Sequence, residues 1–409
     1  MLYERRMIQA LVVLAALCAL GLTLRFPRAT CVLWILLLES SPDAWAAPLI
    51  GDRETIIGLL KTSGLVLVVA LGLRHGWRRD SYNPALAFAF MFMTGLAHGL
   101  YPGLTLASSL RSLTGSAAPF LFSFVRLPQN FTATVQRAII WAPLATVGFG
   151  VLLSLLGLGH FYTVEQGAIR LGGPGEPAFL AGFALTGFYA GLMAFLHTPT
   201  RAATFGILVN FTLILLTGAR TPLALAVLFS LGLLIAQRRL LLLAAAAALF
   251  SLGLIFLNTI SFLRVVNLTQ LGEASNLSNR NLVWPYFQQA FLASPWVGWG
   301  TGAGKVVIPL TASLATLIGT NAAHNEYLRM ATEGGIIGLT LLVTLLTLWS
   351  IRGSAPLPTA QRWLVRLTFL GFALHSATDN TLIATTASIF FLWASTVFAT
   401  PPERSSLPA

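Results

Sequence analysis

The chain has 409 residues, of which 56% are hydrophobic and only 9% are charged. Soluble globular proteins carry about 25% charged residues, so this composition excludes an ordinary soluble domain and predicts an all-α polytopic membrane protein. The net charge is +12, and only Lys61 and Lys305 among the 25 basic residues are lysines. Because the arginines are dispersed rather than gathered into one basic domain, nucleic-acid binding is not expected.

Apolar runs that approach the length of a membrane span recur along the whole chain. Spans are predicted near 8–24, 29–49, 55–73, 84–100, 104–125, 137–158, 178–197, 202–218, 222–236, 240–263, 334–351, 363–378 and 384–400. The segment from Glu39 to Asp43 interrupts the second run, which places a broken or interfacial piece there. The residues 264–332 are predicted to form one long polar loop.

The arginines of the short loops predict the orientation of the chain. They fall on one side of the predicted spans: Arg74, Arg78, Arg79, Arg126, Arg137, Arg201, Arg238, Arg239, Arg352, Arg362 and Arg366. By the positive-inside rule this side is the cytoplasm, and the 264–332 loop is periplasmic. Counting every run as a crossing would place Arg5 and Arg6 outside. We therefore favour about 12 transmembrane helices in a single integral membrane domain over 1–409.

Ionisable residues also occur on the predicted external side: Arg170, Arg220, Arg264, Arg280, Lys305, His324, Glu326, Arg329, Glu333 and Asp379. Positive charge there opposes the usual loop bias and fits an anionic ligand, because arginine offers a bidentate fork to phosphate oxygens. Arg220 lies in a tight turn before Pro222, although an arginine there can also snorkel to helix-end carbonyls. Arg280 starts an amphipathic segment, where it is either a solvated charge or the partner of an anion.

The stretch from Asn321 to Gly338 places a histidine, two carboxylates and an arginine where a membrane helix begins. His324 titrates near neutrality and can take a proton from an attacking hydroxyl, with Glu326, Glu333 or Asp379 to orient it. His98, His160, His197 and His375 are interpreted as packing residues. Without a His-x-x-x-His or cysteine pair the sequence indicates no metal site, and no cofactor is expected.

A glycine-rich stretch from Gly298 to Lys305 reads Gly-Trp-Gly-Thr-Gly-Ala-Gly-Lys. It lacks the spacing of a nucleotide-binding phosphate loop and does not follow a predicted strand. We interpret it as a turn that returns the long loop to the helical bundle.

The chain resembles the O-antigen ligase/polymerase family over roughly 137–385. The resemblance is carried by the Gly218-Ala219-Arg220 turn, by the long loop with Arg280 and Gly298-Trp299-Gly300, and by His324-Asn-Glu-Tyr-Leu with Glu333-Gly-Gly-Ile-Ile-Gly. The last of these stretches is the most specific. Within the family, the chain looks most like the ligase branch that completes lipopolysaccharide.

The resemblance implies a GT-C-like helical bundle with a helical periplasmic loop and a metal-independent glycosyltransferase activity. The enzyme would move a preassembled glycan from undecaprenyl diphosphate to a lipid A–core sugar, on the periplasmic face of the bacterial inner membrane. It also implies that Arg220, Arg280 and Arg170 bind the donor diphosphate. His324 would either activate the acceptor hydroxyl, which we favour, or bind the diphosphate.

Three other functions stay open from the sequence. An O-antigen polymerase uses the same donor with a second lipid-linked glycan as acceptor. A protein O-oligosaccharyltransferase is typically longer, with an additional C-terminal region. A polyprenyl-linked glycan transporter would hold its charges near the middle of the membrane in broken helices, whereas here the ionisable residues cluster at one predicted surface.

Overall fold

The computed structural model describes residues 17–47, 53–165, 168–238, 280–309, 312, 321–382 and 385–399. The predicted span over 240–263 and the expected site residue Arg264 lie outside the described residues. The chain divides into two compact units. The first comprises Met1–Leu38, Gly51–Ala138 and Asn279–Ala409, and the second comprises Glu39–Ile50 and Ile139–Ser278. The single membrane domain over 1–409 stays a prediction.

The first unit is built from helices. They are α1 (Pro27–Glu39), α3 (Arg53–His75), α4 (Ala85–His98), α5 (Leu106–Leu121), the start of α6 (Gln129–Leu155), α10 (Arg280–Ala293), α11 (Glu326–Ser354), α12 (Thr359–Ser376) and α13 (Thr385–Ala399). Short 3-10 turns cover Phe122–Phe124 and Ala303–Lys305, and residues 17–25 are also helical.

The second unit contains the remaining elements. They are α2 (Pro42–Trp45), the rest of α6, the strands β1 (Tyr162–Glu165) and β2 (Ala168–Leu171), α7 (Pro177–His197), α8 (Arg201–Thr217) and α9 (Arg220–Ala236). The break that the sequence predicts near Glu39 is present, because α1 ends there and α2 begins at Pro42. The strands β1 and β2 form one short antiparallel hairpin among these helices.

Four helices are long and apolar enough to cross a membrane: α3 over Ile56–His75, α6, α7 and α11. Four shorter helices, α4, α8, α9 and α13, are also apolar. Large aliphatic side chains such as Leu33, Leu59 and Leu155 are exposed on the helix surfaces, as expected where helices face lipid. A predominantly helical membrane protein is thus confirmed, whereas the number of 12 spans and the GT-C-like arrangement stay predictions.

An aromatic cluster forms the core of the first unit. Trp349 of α11 packs against Phe120 of α5, Phe369 of α12 and Phe391 of α13, with ring centroids 5.7 to 6.0 Å apart. Its indole Nε1 donates to the Asp80 carboxylate at 2.7 Å. Aromatic pairs of this kind stabilise beyond their buried area, so the cluster fixes the neighbours of α11.

Helix α11 begins at Glu326, earlier than the sequence predicts, and its backbone breaks at Gly335, where φ is +60°. The glycine-rich turn enters this break and has positive φ at Gly298, Gly300 and Gly302. The backbone hydrogen bonds that join the two segments run from Trp299 N–H to Thr332 O (3.1 Å), Gly300 N–H to Glu333 O (2.8 Å), Ile336 N–H to Pro295 O (2.8 Å) and Ile337 N–H to Trp296 O (3.1 Å). The turn thus satisfies the backbone groups that the break leaves without helical partners.

Gly335→Ala is expected to destabilise the protein strongly. The backbone conformation at Gly335 (φ +60°, ψ −167°) is one that only glycine adopts readily. A Cβ there would lie 2.3 Å from the carbonyl carbon and oxygen of Trp296, which belong to backbone and cannot swing aside. Strain and clash together should cost roughly 3 kcal/mol or more, measured as a lowered unfolding temperature in detergent.

Gly232→Ala is the matched control for this substitution. Gly232 lies inside α9, and no atom lies within 4 Å of the position a Cβ would take. Alanine is favoured over glycine inside a helix, so this variant should unfold at the wild-type temperature or slightly above it. If the two variants lose the same stability, the break does not require glycine.

The core of the second unit is the pair α7 and α8. Helix α7 is buried along nearly its whole length. Asn210 of α8 donates to the Ile140 carbonyl of α6 at 2.9 Å, and a Cβ at Gly187 of α7 would lie 2.6 Å from its Oδ1. The absence of a side chain at Gly187 therefore permits the close approach of the two helices around a buried amide.

Candidate active site

His324 lies just before α11 on a segment that hydrogen bonds hold at both ends. The Ala323 carbonyl accepts from the Trp284 indole of α10 at 2.9 Å. Asn325 caps α11, because its Oδ1 accepts from the Leu328 N–H at 3.0 Å. His324 itself has a φ of +48°, which is uncommon for a residue with a side chain. These constraints place the imidazole beside the first turn of α11.

Asp379 lies on the turn after α12 and contacts His324. Its Oδ1 is 3.4 Å from the His324 Nδ1, and the two side chains are 33% and 31% exposed. The Asn380 N–H donates to the same oxygen at 2.8 Å. His375 lies on the other side, with its Nε2 3.9 Å from Oδ2. Asp379 therefore lies between two imidazoles, and one of them, His375, was interpreted from the sequence as a packing residue.

The environment keeps Asp379 ionised at neutral pH. Burial raises the pKa of this carboxyl, but the hydrogen bond with His324 and the charges of His375 and His324 together lower the pKa below its ordinary value. A carboxylate with a depressed pKa stabilises the folded state at neutral pH. This stabilisation is lost only when the pH falls far enough to protonate the carboxylate. An ionised carboxylate at Nδ1 favours the tautomer with the proton on Nδ1, so that Nε2 carries the lone pair.

Glu326 and Glu333 bind an arginine of their own helix. The Arg329 Nε donates to the Glu326 Oε2 at 2.9 Å, and its Nη1 donates to the Glu333 Oε1 at 2.8 Å. All three side chains are at most 3% exposed. The spacing of three and four residues places them on one helix face. Of the three carboxylates considered for orienting His324, Asp379 is the one in contact with it.

The two arginines of the second unit are linked through one turn. Arg170 of β2 is buried and donates from Nε to the Thr217 carbonyl, the last residue of α8, at 2.8 Å. Gly218 ends α8 with a φ of +64°, and Arg220 is the first residue of α9. The loop is therefore shorter than the sequence predicts. Half-buried Arg220 starts at the positive end of a helix, where an anion is favoured.

Arg280 is the first residue of α10, as the amphipathic pattern predicts. Val283, Phe287 and Ala290 form the buried face of this helix and pack with Val307, Ile308 and Ala323. The Thr332 hydroxyl of α11 donates to the Phe287 carbonyl at 3.3 Å. The helix thus packs on the first unit beside α11.

The family model described as O-antigen ligase matches residues 191–343. Over this range the chain is similar to the O-antigen ligase/polymerase family. The matched range of this family contains Arg220, Arg280 and His324, whereas Arg170 and Asp379 lie outside it. Comparison with curated proteins found no match.

The structure shows partners for two residues to which the sequence assigns no role in the site. Arg329 is the common partner of Glu326 and Glu333, and the pattern of acid, base and acid at helical spacing was a sequence signal for it. His375 approaches Asp379 because α12 ends between them, and its sequence context carries no comparable signal. Among the described residues, no group of three or more His, Cys, Asp or Glu is placed to hold a metal ion.

Proposed function

We propose that the chain is an O-antigen ligase. It moves a preassembled O-antigen polysaccharide from undecaprenyl diphosphate to a sugar of lipid A–core during lipopolysaccharide biosynthesis. The reaction takes place on the periplasmic face of the inner membrane and needs no metal. The family match supports O-antigen chemistry, and the apolar helices support a membrane location.

The observation that carries the proposal is the contact between His324 and Asp379. A histidine that is oriented through Nδ1 by a carboxylate and partly exposed is equipped to accept a proton at Nε2. Glycosyl transfer to a sugar hydroxyl needs such a base, because the attacking oxygen must lose its proton. His324 also falls within the range matched by the family.

The reaction replaces the glycosyl phosphate bond of the donor with a glycosidic bond to the acceptor. The acceptor hydroxyl oxygen bonds to the anomeric carbon of the donor glycan, and the bond between that carbon and the diphosphate oxygen breaks. The hydroxyl proton passes to the His324 Nε2, and undecaprenyl diphosphate leaves with the bonding electron pair. The leaving diphosphate needs no proton at neutral pH, so positive charge is enough to stabilise it.

Arg220, Arg280 and Arg170 supply that positive charge in this proposal. Guanidinium groups bind phosphate oxygens with two parallel hydrogen bonds and stay charged at any physiological pH. The buried hydrogen bond from Arg170 to the Thr217 carbonyl fixes the end of α8, which leads into the Arg220 turn. Arg170 is accordingly proposed to position the turn as well as to add charge.

Arg220→Lys is expected to lower the rate of glycan transfer by roughly 10- to 100-fold. Lysine keeps the charge but loses the planar pair of donors, which corresponds to about 1.5–3 kcal/mol for a charged hydrogen bond. The measurement is transfer to lipid A–core by purified protein, with the donor concentration varied. Arg201→Lys is the matched control, because Arg201 is likewise the first residue of its helix, is exposed, and should tolerate lysine. An Arg220→Lys variant with the wild-type rate would show that only charge matters there.

Deletion of the gene in its host tests the acceptor. Lipopolysaccharide and undecaprenyl-linked glycan are separated on gels. Bare core together with long polymers on the lipid carrier is the expected result for a ligase. Core capped with one repeat unit would indicate an O-antigen polymerase, and intact lipopolysaccharide with unmodified glycoproteins would indicate a protein O-oligosaccharyltransferase. Failure of the purified protein to transfer glycan would favour a transporter.

A further inference from the structure

A basic cavity lies at the end of α3 in the first unit. Its volume is about 350 Å³, and its lining consists of His75, Arg78, Arg126, Leu127, Pro128 and Ala399. None of the residues proposed for glycan transfer lines it. The loop arginines predict that this end of the unit faces the cytoplasm.

Backbone pairing places the two arginines of this cavity at diagonal positions on one face. Trp77 and Val125 form an antiparallel bridge. The Arg78 N–H donates to the Phe124 carbonyl at 2.7 Å, and the Arg126 N–H donates to the Gly76 carbonyl at 3.0 Å. Residues on either side of such a bridge project to one common face, so Arg78 and Arg126 share a face. The fold thus places two like charges in the lining of one cavity.

Among the residues that the structure describes, neither arginine of this pair forms a salt bridge. The Arg78 Nε donates to the Ser123 carbonyl at 2.5 Å. The Oδ2 of Asp80 accepts hydrogen bonds from the Trp349 indole at 2.7 Å and from the Ser123 hydroxyl. Burial lowers the pKa of the Arg78 guanidinium, and the charge of Asp80 opposes this effect. An anion in the cavity would therefore stabilise both arginines.

Two further features favour an anion with several acceptor oxygens. The Nε2 of His75 is buried and has no hydrogen-bond partner within the described part of the chain. Leu127 and Pro128 lead directly into α6, so the positive end of that long helix lies beside the cavity. The cavity thus offers an anion a ring nitrogen and a favourable helix dipole in addition to the guanidinium donors.

We propose that this cavity binds a phosphate group. Its three or more oxygens match the donors of Arg78, Arg126 and His75. The phosphate comes either from the headgroup of an anionic phospholipid in the inner leaflet or from inorganic phosphate in solution. Leu127, Pro128 and Ala399 give the cavity an apolar wall that can accommodate the glycerol end of a lipid.

The test compares two phosphate sources on the full-length protein in a neutral detergent. Native mass spectrometry measures the retention of phosphatidylglycerol against a diacylglycerol with the same acyl chains, which lacks the phosphate. Titration with inorganic phosphate, followed by ³¹P NMR, measures binding of the free ion. We expect one saturable phosphate-dependent site, with affinity at least about tenfold lower in Arg126→Gln.

Arg79→Gln is the matched control, because Arg79 is exposed, adjacent in sequence and not part of the lining. Arg126→Lys, which keeps the charge, should recover part of the affinity if the variant protein is folded. If Arg126→Gln weakens the retention of phosphatidylglycerol and Arg79→Gln does not, the site belongs to a phospholipid. If Arg126→Gln weakens only the binding of the free ion, the site belongs to inorganic phosphate. Equal affinity for phosphatidylglycerol and diacylglycerol together with no binding of inorganic phosphate would overturn the proposal. Equal losses of affinity in Arg79→Gln and Arg126→Gln would overturn it as well.

Discussion

His324→Ala is expected to abolish glycan transfer while the protein still inserts into the membrane. A general base that acts on the acceptor hydroxyl typically contributes about 10²- to 10⁴-fold to the rate. The His324 side chain is 31% exposed and contacts the Asp379 side chain, which is 33% exposed. Its loss should therefore leave the unfolding temperature nearly unchanged. The measurement is the rate of transfer from undecaprenyl-linked glycan to lipid A–core by purified protein.

Kinetics of this variant separate the two roles considered for His324. Loss of a base lowers kcat with the donor KM unchanged and removes the acid limb of the pH profile. Loss of a diphosphate ligand raises the donor KM instead. His160→Ala is the control, because His160 is exposed on another loop. A His324→Ala enzyme with the wild-type kcat and pH profile would exclude the residue as the base.

Asp379 should show a smaller effect of the same kind. Asp379→Asn keeps the shape of the side chain but removes the charge that favours the proton on the His324 Nδ1. The transfer rate of this variant should therefore fall below the wild-type rate but stay above that of His324→Ala in the same assay.

The apolar runs of the sequence predict most of the helices that the structure describes. Their ends are also marked locally, since Glu39-Ser-Ser-Pro42 separates α1 from α2 and Gly218 ends α8. Charge misleads at one boundary. Glu326 and Arg329 fall in the predicted polar loop 264–332, because single charges are costly in a membrane helix. In the structure these charges neutralise one another on one face, so the helix includes them.

The break in α11 and the environment of His324 depend on contacts between distant segments. Two adjacent glycines at Gly334 and Gly335 permit a break but do not identify the turn that enters it from residues 295–300. Likewise, the sequence offers Glu326, Glu333 and Asp379 equally as partners of His324. The choice of Asp379 results from the packing of α11 beside α12, where the Tyr327 hydroxyl donates to the Ala373 carbonyl at 2.8 Å.

Arg329→Met is expected to be the most destabilising single substitution in the first turns of α11. Arg329 is 3% exposed and binds both Glu326 and Glu333, so its removal leaves two carboxylates buried without a counterion. Breaking a buried ion pair in this way costs roughly 3–5 kcal/mol. The Glu326 Oε1 also accepts from the Leu382 N–H at 3.2 Å, so the damage should reach the turn that carries Asp379. A lowered unfolding temperature and a low yield of folded protein are the expected results.

The triple variant Glu326→Gln/Arg329→Met/Glu333→Gln separates the cost of broken pairing from the loss of packing. It removes every charge of the triad at similar volume, and buried ion pairs replaced in this way are often neutral or stabilising. We therefore expect its unfolding temperature to return close to the wild-type value. Arg352→Met, at the exposed end of the same helix, should change stability by less than about 1 kcal/mol. If the triple variant is as unstable as Arg329→Met, the arginine acts through the packing of its aliphatic stem and not through its charge. This stem lies close to Gly304, since a Cβ added there would be 2.6 Å from the Arg329 Cγ.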